Sequence, residues 1–145
     1  MSEVTIPSVL LVEDSEDDAF FFKREFAKSR VGWTLRHAPN GRAAVDLIRE
    51  TLVPEDLPQM VFLDLKMPVM NGFEVLRWLT TQSFGRALPV LVLSGSEHKE
   101  DKNRAYDLGA VGYFIKPITG VDLRRIIGEL FPHSKSAQED LAAHQ

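Results

Sequence analysis

Short apolar runs punctuate this chain, and each gives way at once to polar or charged residues. The clearest are Val9-Leu10-Leu11-Val12, Met60-Val61-Phe62-Leu63, Val90-Leu91-Val92-Leu93 and Tyr113-Phe114-Ile115. Uninterrupted apolar runs of this length fit strands covered on both faces, as in a parallel sheet. A weaker strand is predicted at Trp33–Ala38. Helical spacing fills the gaps. Ala19, Phe22 and Phe26 share one stripe of Asp17–Ser29, and Ala44, Leu47 and Ile48 one stripe of Gly41–Thr51, with Asn40 placed to cap it. Val75, Leu76 and Leu79 mark Gly72–Thr80. Lys99–Leu108 is polar, predicted to be only partly covered, and ends at Gly109. Thr119–Leu130 carries Leu123, Ile126, Ile127 and Leu130, with Thr119 as its cap and Pro132 as its stop.

The predicted order is strand–helix, repeated five times. That order implies an α/β architecture, with right-handed crossovers placing helices on both faces of one parallel sheet. No internal repeat or low-complexity block interrupts it. Residues 1–131 read as one domain and residues 132–145 as a polar, flexible tail too short for a second one.

Composition narrows the class. With 145 residues, 44% hydrophobic and 26% charged, the chain can bury a sizeable core. It has no Cys, which excludes disulfides and thiolate metal sites. The histidines His37, His98, His133 and His144 show no metal-ligand spacing. A formal charge of −4 gives no support for nucleic-acid binding. Val9–Val12 is too short for a membrane span or a signal sequence, so a cytoplasmic location away from membranes is expected.

In open α/β sheets the site lies beyond the carboxyl ends of the strands. The first predicted strand delivers Glu13 and Asp14 there, the third Asp64, the fourth Ser94 and the fifth Lys116 followed by Pro117. Singly, each reads as a cap or a loop residue. Together they bring carboxylates, a hydroxyl and an ammonium to one edge. Crowded carboxylates repel one another, and a hard divalent cation such as Mg²⁺, with oxygen ligands, would offset that repulsion. An ionised Asp can then attack phosphorus to form an acyl phosphate, while metal and Lys neutralise the developing charge.

At these residues the chain resembles the receiver domains of bacterial response regulators. The resemblance lies in LLVEDSEDD, VFLDLKMPVMNGFEVL, PVLVLSGS and YDLGAVGYFIKPI, and it spans about residues 7–131. DLKMPVMNGFEVLRWL and AYDLGAVGYFIKP are most similar to the small single-domain regulators that pair with phytochrome-type histidine kinases. The resemblance implies a flavodoxin-like (βα)5 fold with strand order 2-1-3-4-5. It implies a phosphoacceptor at Asp64 and metal ligation by Glu13, Asp14, Asp64 and the backbone carbonyl of Lys66. It also implies a switch hydroxyl at Ser94, a phosphate-binding Lys116, a cis bond before Pro117 and an aromatic switch at Tyr113. Lys66 and Ser96 fall where the family controls access of water to the acyl phosphate. The implied partner is a histidine kinase or phosphotransfer protein. The implied output is a change of the protein's own surface, with a homodimer through the fourth helix, fifth strand and fifth helix as one form of it.

Plainer readings stand beside these. Tyr113, alternating with Phe114 on a strand, could be simple packing. Phe20-Phe21-Phe22 puts three rings in a row on a helix that cannot bury them all, so Phe20 or Phe21 is a candidate for docking a partner. An aspartate-nucleophile phosphatase would place its nucleophile after the first strand, where this chain has Glu13-Asp14-Ser15. A flavodoxin-like ligand-binding module would need neutral N–H donors there, and the acidic pair opposes that. A degenerate receiver kept as a scaffold is a further alternative.

Overall fold

The computed structural model describes residues 6–51, 53–84 and 87–132. Of the expected tail at 132–145, all but Pro132 lies outside them. In chain order the elements are β1 (Ser8–Val12), α1 (Glu16–Ser29), β2 (Thr34–Ala38), α2 (Gly41–Arg49), β3 (Met60–Leu63), α3 (Gly72–Thr80), β4 (Val90–Ser94), α4 (Lys99–Asp107), β5 (Gly112–Ile115) and α5 (Gly120–Leu130). A single 3₁₀ turn, Pro54–Asp56, interrupts the link between α2 and β3. The strands form one parallel sheet in the order β2-β1-β3-β4-β5, the flavodoxin-like order the resemblance implied.

Alternation along the strands divides the interior in two. Leu10 and Val12 of β1 join Val61, Leu63, Val90 and Val92 against the helices α2, α3 and α4. Val9 and Leu11 join Met60, Phe62, Leu91 and Leu93 against α1 and α5. Phe22 of α1 packs on Phe62, with ring centroids 5.1 Å apart. Fully burying a side chain of this size contributes about 1.5–3 kcal/mol.

Caps fix where the helices begin, and so where the loops above the strands end. Ser15, Asn40, Asn71 and Thr119 each accept a hydrogen bond from a backbone N–H in the first turn of the following helix. Thr119 and Asp122 complete a reciprocal capping box. Gly109, at φ 103°, makes the left-handed turn that stops the α4 segment.

Among the departures from expectation are two helix ends and the burial of one strand. The second helix ends at Arg49 rather than at Thr51, whose hydroxyl donates to Leu47 O at 2.9 Å. The fourth ends at Asp107 rather than Leu108. The fifth strand is not covered on both faces: its residues are half-buried, and Ile115 is exposed. It lies at the sheet's edge, and the adjacent α4 buries only Ala105. Among the described residues, no helix is long and apolar enough to cross a membrane.

Candidate functional site

Four strand ends build one cleft, of about 660 Å³, between β1, β3, β4 and β5. The sheet's hydrogen bonding continues one step past the strands and sets the height of each residue. Glu13 N–H donates to Ala38 O at 3.1 Å, Asp64 N–H to Val12 O at 3.1 Å, and Lys116 N–H to Ser94 O at 2.8 Å. Sequential strands that part to either side of β1 leave a gap above it, and the acidic residues line that gap.

Glu13, Asp14 and Asp64 each bring a carboxylate oxygen within 4.8 Å of the others. Glu13 and Asp64 are buried, whereas Asp14 is exposed. Lys116 reaches into this cluster. Its Nζ lies 2.6 Å from Glu13 Oε1, 2.9 Å from Asp18 Oδ2 and 3.5 Å from Asp64 Oδ1. The Lys116–Pro117 peptide bond is cis. Ile118, just beyond it, is buried against α1 and α5.

The electrostatics are those of a crowded acidic pocket. Burial pushes Glu13 up to about 7, outweighing the hydrogen bond from Lys116, and the nearby Asp64 charge adds to the rise. Burial also holds Asp64 above the ordinary carboxylate value, against the attraction of Lys116. Burial opposes the Lys116 ammonium too, but hydrogen bonds to Glu13 and Asp18 overcome it and raise its pKa. The all-oxygen donor set and the strained ionisation of two of its carboxylates fit a hard divalent cation.

On the β4 side, Ser94 is buried and its Oγ accepts from Ser96 N–H at 3.0 Å. Ser96 Oγ donates to Asp101 of α4 at 2.7 Å. Gly72, at the start of α3, packs directly on the backbone after Asp64: a Cβ there would stand 2.8 Å from Leu65 Cα, so only Gly fits.

Of the residues singled out in the sequence, Glu13, Asp14, Asp64, Lys66, Ser94 and Lys116 all line the cleft. The Lys66 side chain is exposed. Tyr113 does not line the cleft; it packs beside the α2–α3–α4 cluster and reaches the loop above β4. Sequence reasoning missed two polar contacts. Asp18 pairs with Lys116 across 98 positions, and His37 Nε2 lies 2.8 Å from Glu13 O. Neither carries a local sequence signal.

The response regulator receiver domain model matches residues 9–128. The chain belongs to the response regulator receiver domain family. Receiver domains are signalling components of two-component systems, and this one is 38% identical over 125 residues to a probable methanogenesis regulatory protein, FilR2, of Methanothrix harundinacea. That match covers 84% of this chain and 79% of FilR2. Among solved structures, the bacteriophytochrome response regulator AtBRR superposes with a TM-score of 0.76 at 29% identity, over 88% of this receiver and 94% of AtBRR. The phosphorylated cyanobacterial phytochrome response regulator RcpA superposes with a TM-score of 0.71 at 26% identity, over 90% of this receiver and 94% of RcpA.

Proposed function

We propose that Asp64 is the phosphoacceptor of this receiver and takes its phosphoryl group from a phosphohistidine on a histidine kinase or phosphotransfer protein. The observation that carries this reading is the Lys116 ammonium standing 3.5 Å from the Asp64 carboxylate, beside a cluster of acids of which Glu13 and Asp64 are buried. An Asp64 oxygen attacks phosphorus, the bond from phosphorus to the imidazole nitrogen breaks, and the imidazole leaves with the electron pair of that bond as its nitrogen lone pair. Lys116 and Ser94 would hold the phosphoryl oxygens. Glu13, Asp14, Asp64 and the Lys66 carbonyl would hold Mg²⁺, which supplies charge neutralisation to phosphoryl transfer.

The chemistry is confined to the receiver's own Asp64, so turnover of a general phosphate monoester is not expected. The output reading is a change on the surface of α4, β5 and α5, where Tyr106, Val111 and Ile115 are exposed, with homodimer formation through that face as one form of it. Docking of the donor beside α1 is supported by Phe20, 68% exposed, and by an apolar cleft of about 390 Å³ between Phe21 and Pro117. A phytochrome-type kinase as donor is supported by the structural likeness to AtBRR and RcpA. This chemistry suits the cytoplasm, where phosphodonor and Mg²⁺ are supplied.

Labelling with a small phosphodonor in Mg²⁺ tests the reading. Wild type should take up one phosphoryl group and D64N none; labelling that persists in D64N would place the acceptor elsewhere. Transfer profiling against the host's histidine kinases then identifies the donor.

A further inference from the structure

Asp18 and Lys116 meet over the mouth of the cleft at 2.9 Å, although 98 positions separate them. An ammonium has three N–H donors. Here one goes to Glu13 at 2.6 Å and one to Asp18. Asp64, at 3.5 Å, is beyond good hydrogen-bond length. The two firm partners differ in what their loss would cost. The Glu13 side chain is 2% exposed, and losing the ammonium would leave a buried carboxylate uncompensated. The Asp18 side chain is 48% exposed, so water can replace the ammonium there at little cost. A phosphoryl group on Asp64 would add negative charge and three acceptor oxygens beside Lys116. To give that group more than one hydrogen bond, the ammonium must release a partner, and Asp18 is the one that leaves most readily.

We propose that Asp18 is a positioning residue that tethers Lys116 in the resting protein and is exchanged for the phosphoryl group once Asp64 carries one. This rests on the reading of Asp64 as acceptor and extends it to a residue outside the acid, hydroxyl and lysine set. The tether keeps the ammonium over the acidic cluster instead of in solvent. It also competes with the phosphoryl oxygens, and so weakens the site's hold on them. Asp17 provides the contrast. It is exposed on the same helical turn but forms no ion pair with Lys116, so its charge acts only through solvent.

The test is binding of beryllium fluoride, a phosphoryl mimic, with Mg²⁺ to the wild type, D18N, D18E and D17N by calorimetry. It is joined by ¹⁵N NMR of the Lys116 ammonium in the free proteins, assigned by its loss in K116M. D18N should bind the mimic roughly three- to fivefold more tightly than wild type. D18E should fall back toward wild type, and D17N should match it. The Lys116 resonance should move in D18N and stay in D17N. Equal tightening in D17N and D18N overturns the proposal, because a general field would explain both. Unchanged or weaker binding in D18N overturns the exchange, and an unmoved Lys116 resonance overturns the tether. A wild type that binds no beryllium fluoride sinks the acceptor reading itself, and the exchange with it.

Discussion

The Tyr113 hydroxyl donates a hydrogen bond to the Ser96 carbonyl oxygen at 2.8 Å. The Ser96 N–H in turn donates to Ser94 Oγ, so one loop residue links the end of β4 to the aromatic ring of β5. Removing either end should loosen the loop to a different degree. Y113F should cost about 0.5–1.5 kcal/mol, the net value of a hydrogen bond. S94A should cost about 1–3 kcal/mol, because it strands a buried N–H. Urea unfolding of both variants checks the order; a larger loss in Y113F would contradict it.

Lys116 is the near partner of a buried Glu13. K116M should destabilise the metal-free protein by about 1–3 kcal/mol at alkaline pH, the lower part of the range being favoured because Lys116 is partly exposed. The pH dependence has a definite sign. Glu13 sits at about 7 in the folded protein against an ordinary 4.5, so the folded state holds a proton that the unfolded state has lost. Its contribution to stability therefore falls as pH rises from 4.5 to about 7. Without Lys116, which holds the Glu13 pKa down, that fall should continue to higher pH. Unfolding free energies measured from this window to well above it test the idea, and a K116M profile that levels off at the same pH as wild type would refute it.

Mg²⁺ binding to the acidic cluster should stabilise the fold by mass action, by about 2.7 kcal/mol when Mg²⁺ is at a hundred times its dissociation constant. D14N should retain the fold and lose most of this gain. Thermal melting with and without Mg²⁺ measures both. An equal Mg²⁺ shift in D14N would remove Asp14 from the ligand set.

Glu25 fastens α1 to α5. Its Oε1 accepts from Gly120 N–H at 3.1 Å, and Lys28 lies 3.4 Å from Oε2. The Gly120 hydrogen bond, aided by Lys28 and Arg24, holds its pKa below the ordinary 4.5. The stability it contributes is present above 4.5 and is lost as pH falls through the lowered value. E25Q should therefore be less stable than wild type at neutral pH, with the gap closing in acid. Chemical denaturation at the two pH values decides it, and a gap that widens in acid would count against the assignment.

The apolar runs made most of this fold legible. Val9–Val12, Met60–Leu63 and Val90–Leu93 are central strands, and burial on both faces left no polar residue to blur them. Thr34–Ala38 was faint because an edge strand tolerates Arg36 and His37 half in solvent. The residues of the candidate site were legible because each lies at or just past the end of a strand, so topology alone brings them together. Asp18 and Glu25 were not. Asp18 reads as one acid among several in the first turn of a helix, and Glu25 as a solvated position. Their roles come from how the α5 segment and the loop before it settle on α1, a packing relation between residues about a hundred positions apart.

The divided interior has a mechanical consequence. The α1–α5 layer and the α2–α3–α4 layer share only the sheet, and the cleft spans the seam between them. On its own layer α4 is lightly moored: it buries Ala105, and its Arg104 guanidinium lies 4.1 Å from the centre of the Phe73 ring. A shift of α4 would strain the Ser96–Asp101 hydrogen bond but little of the buried packing, while Phe22, Phe26 and Ile118 are packed on the sheet's other face. One side of the molecule is thus clamped along its length, while the other carries a helix held by few buried side chains.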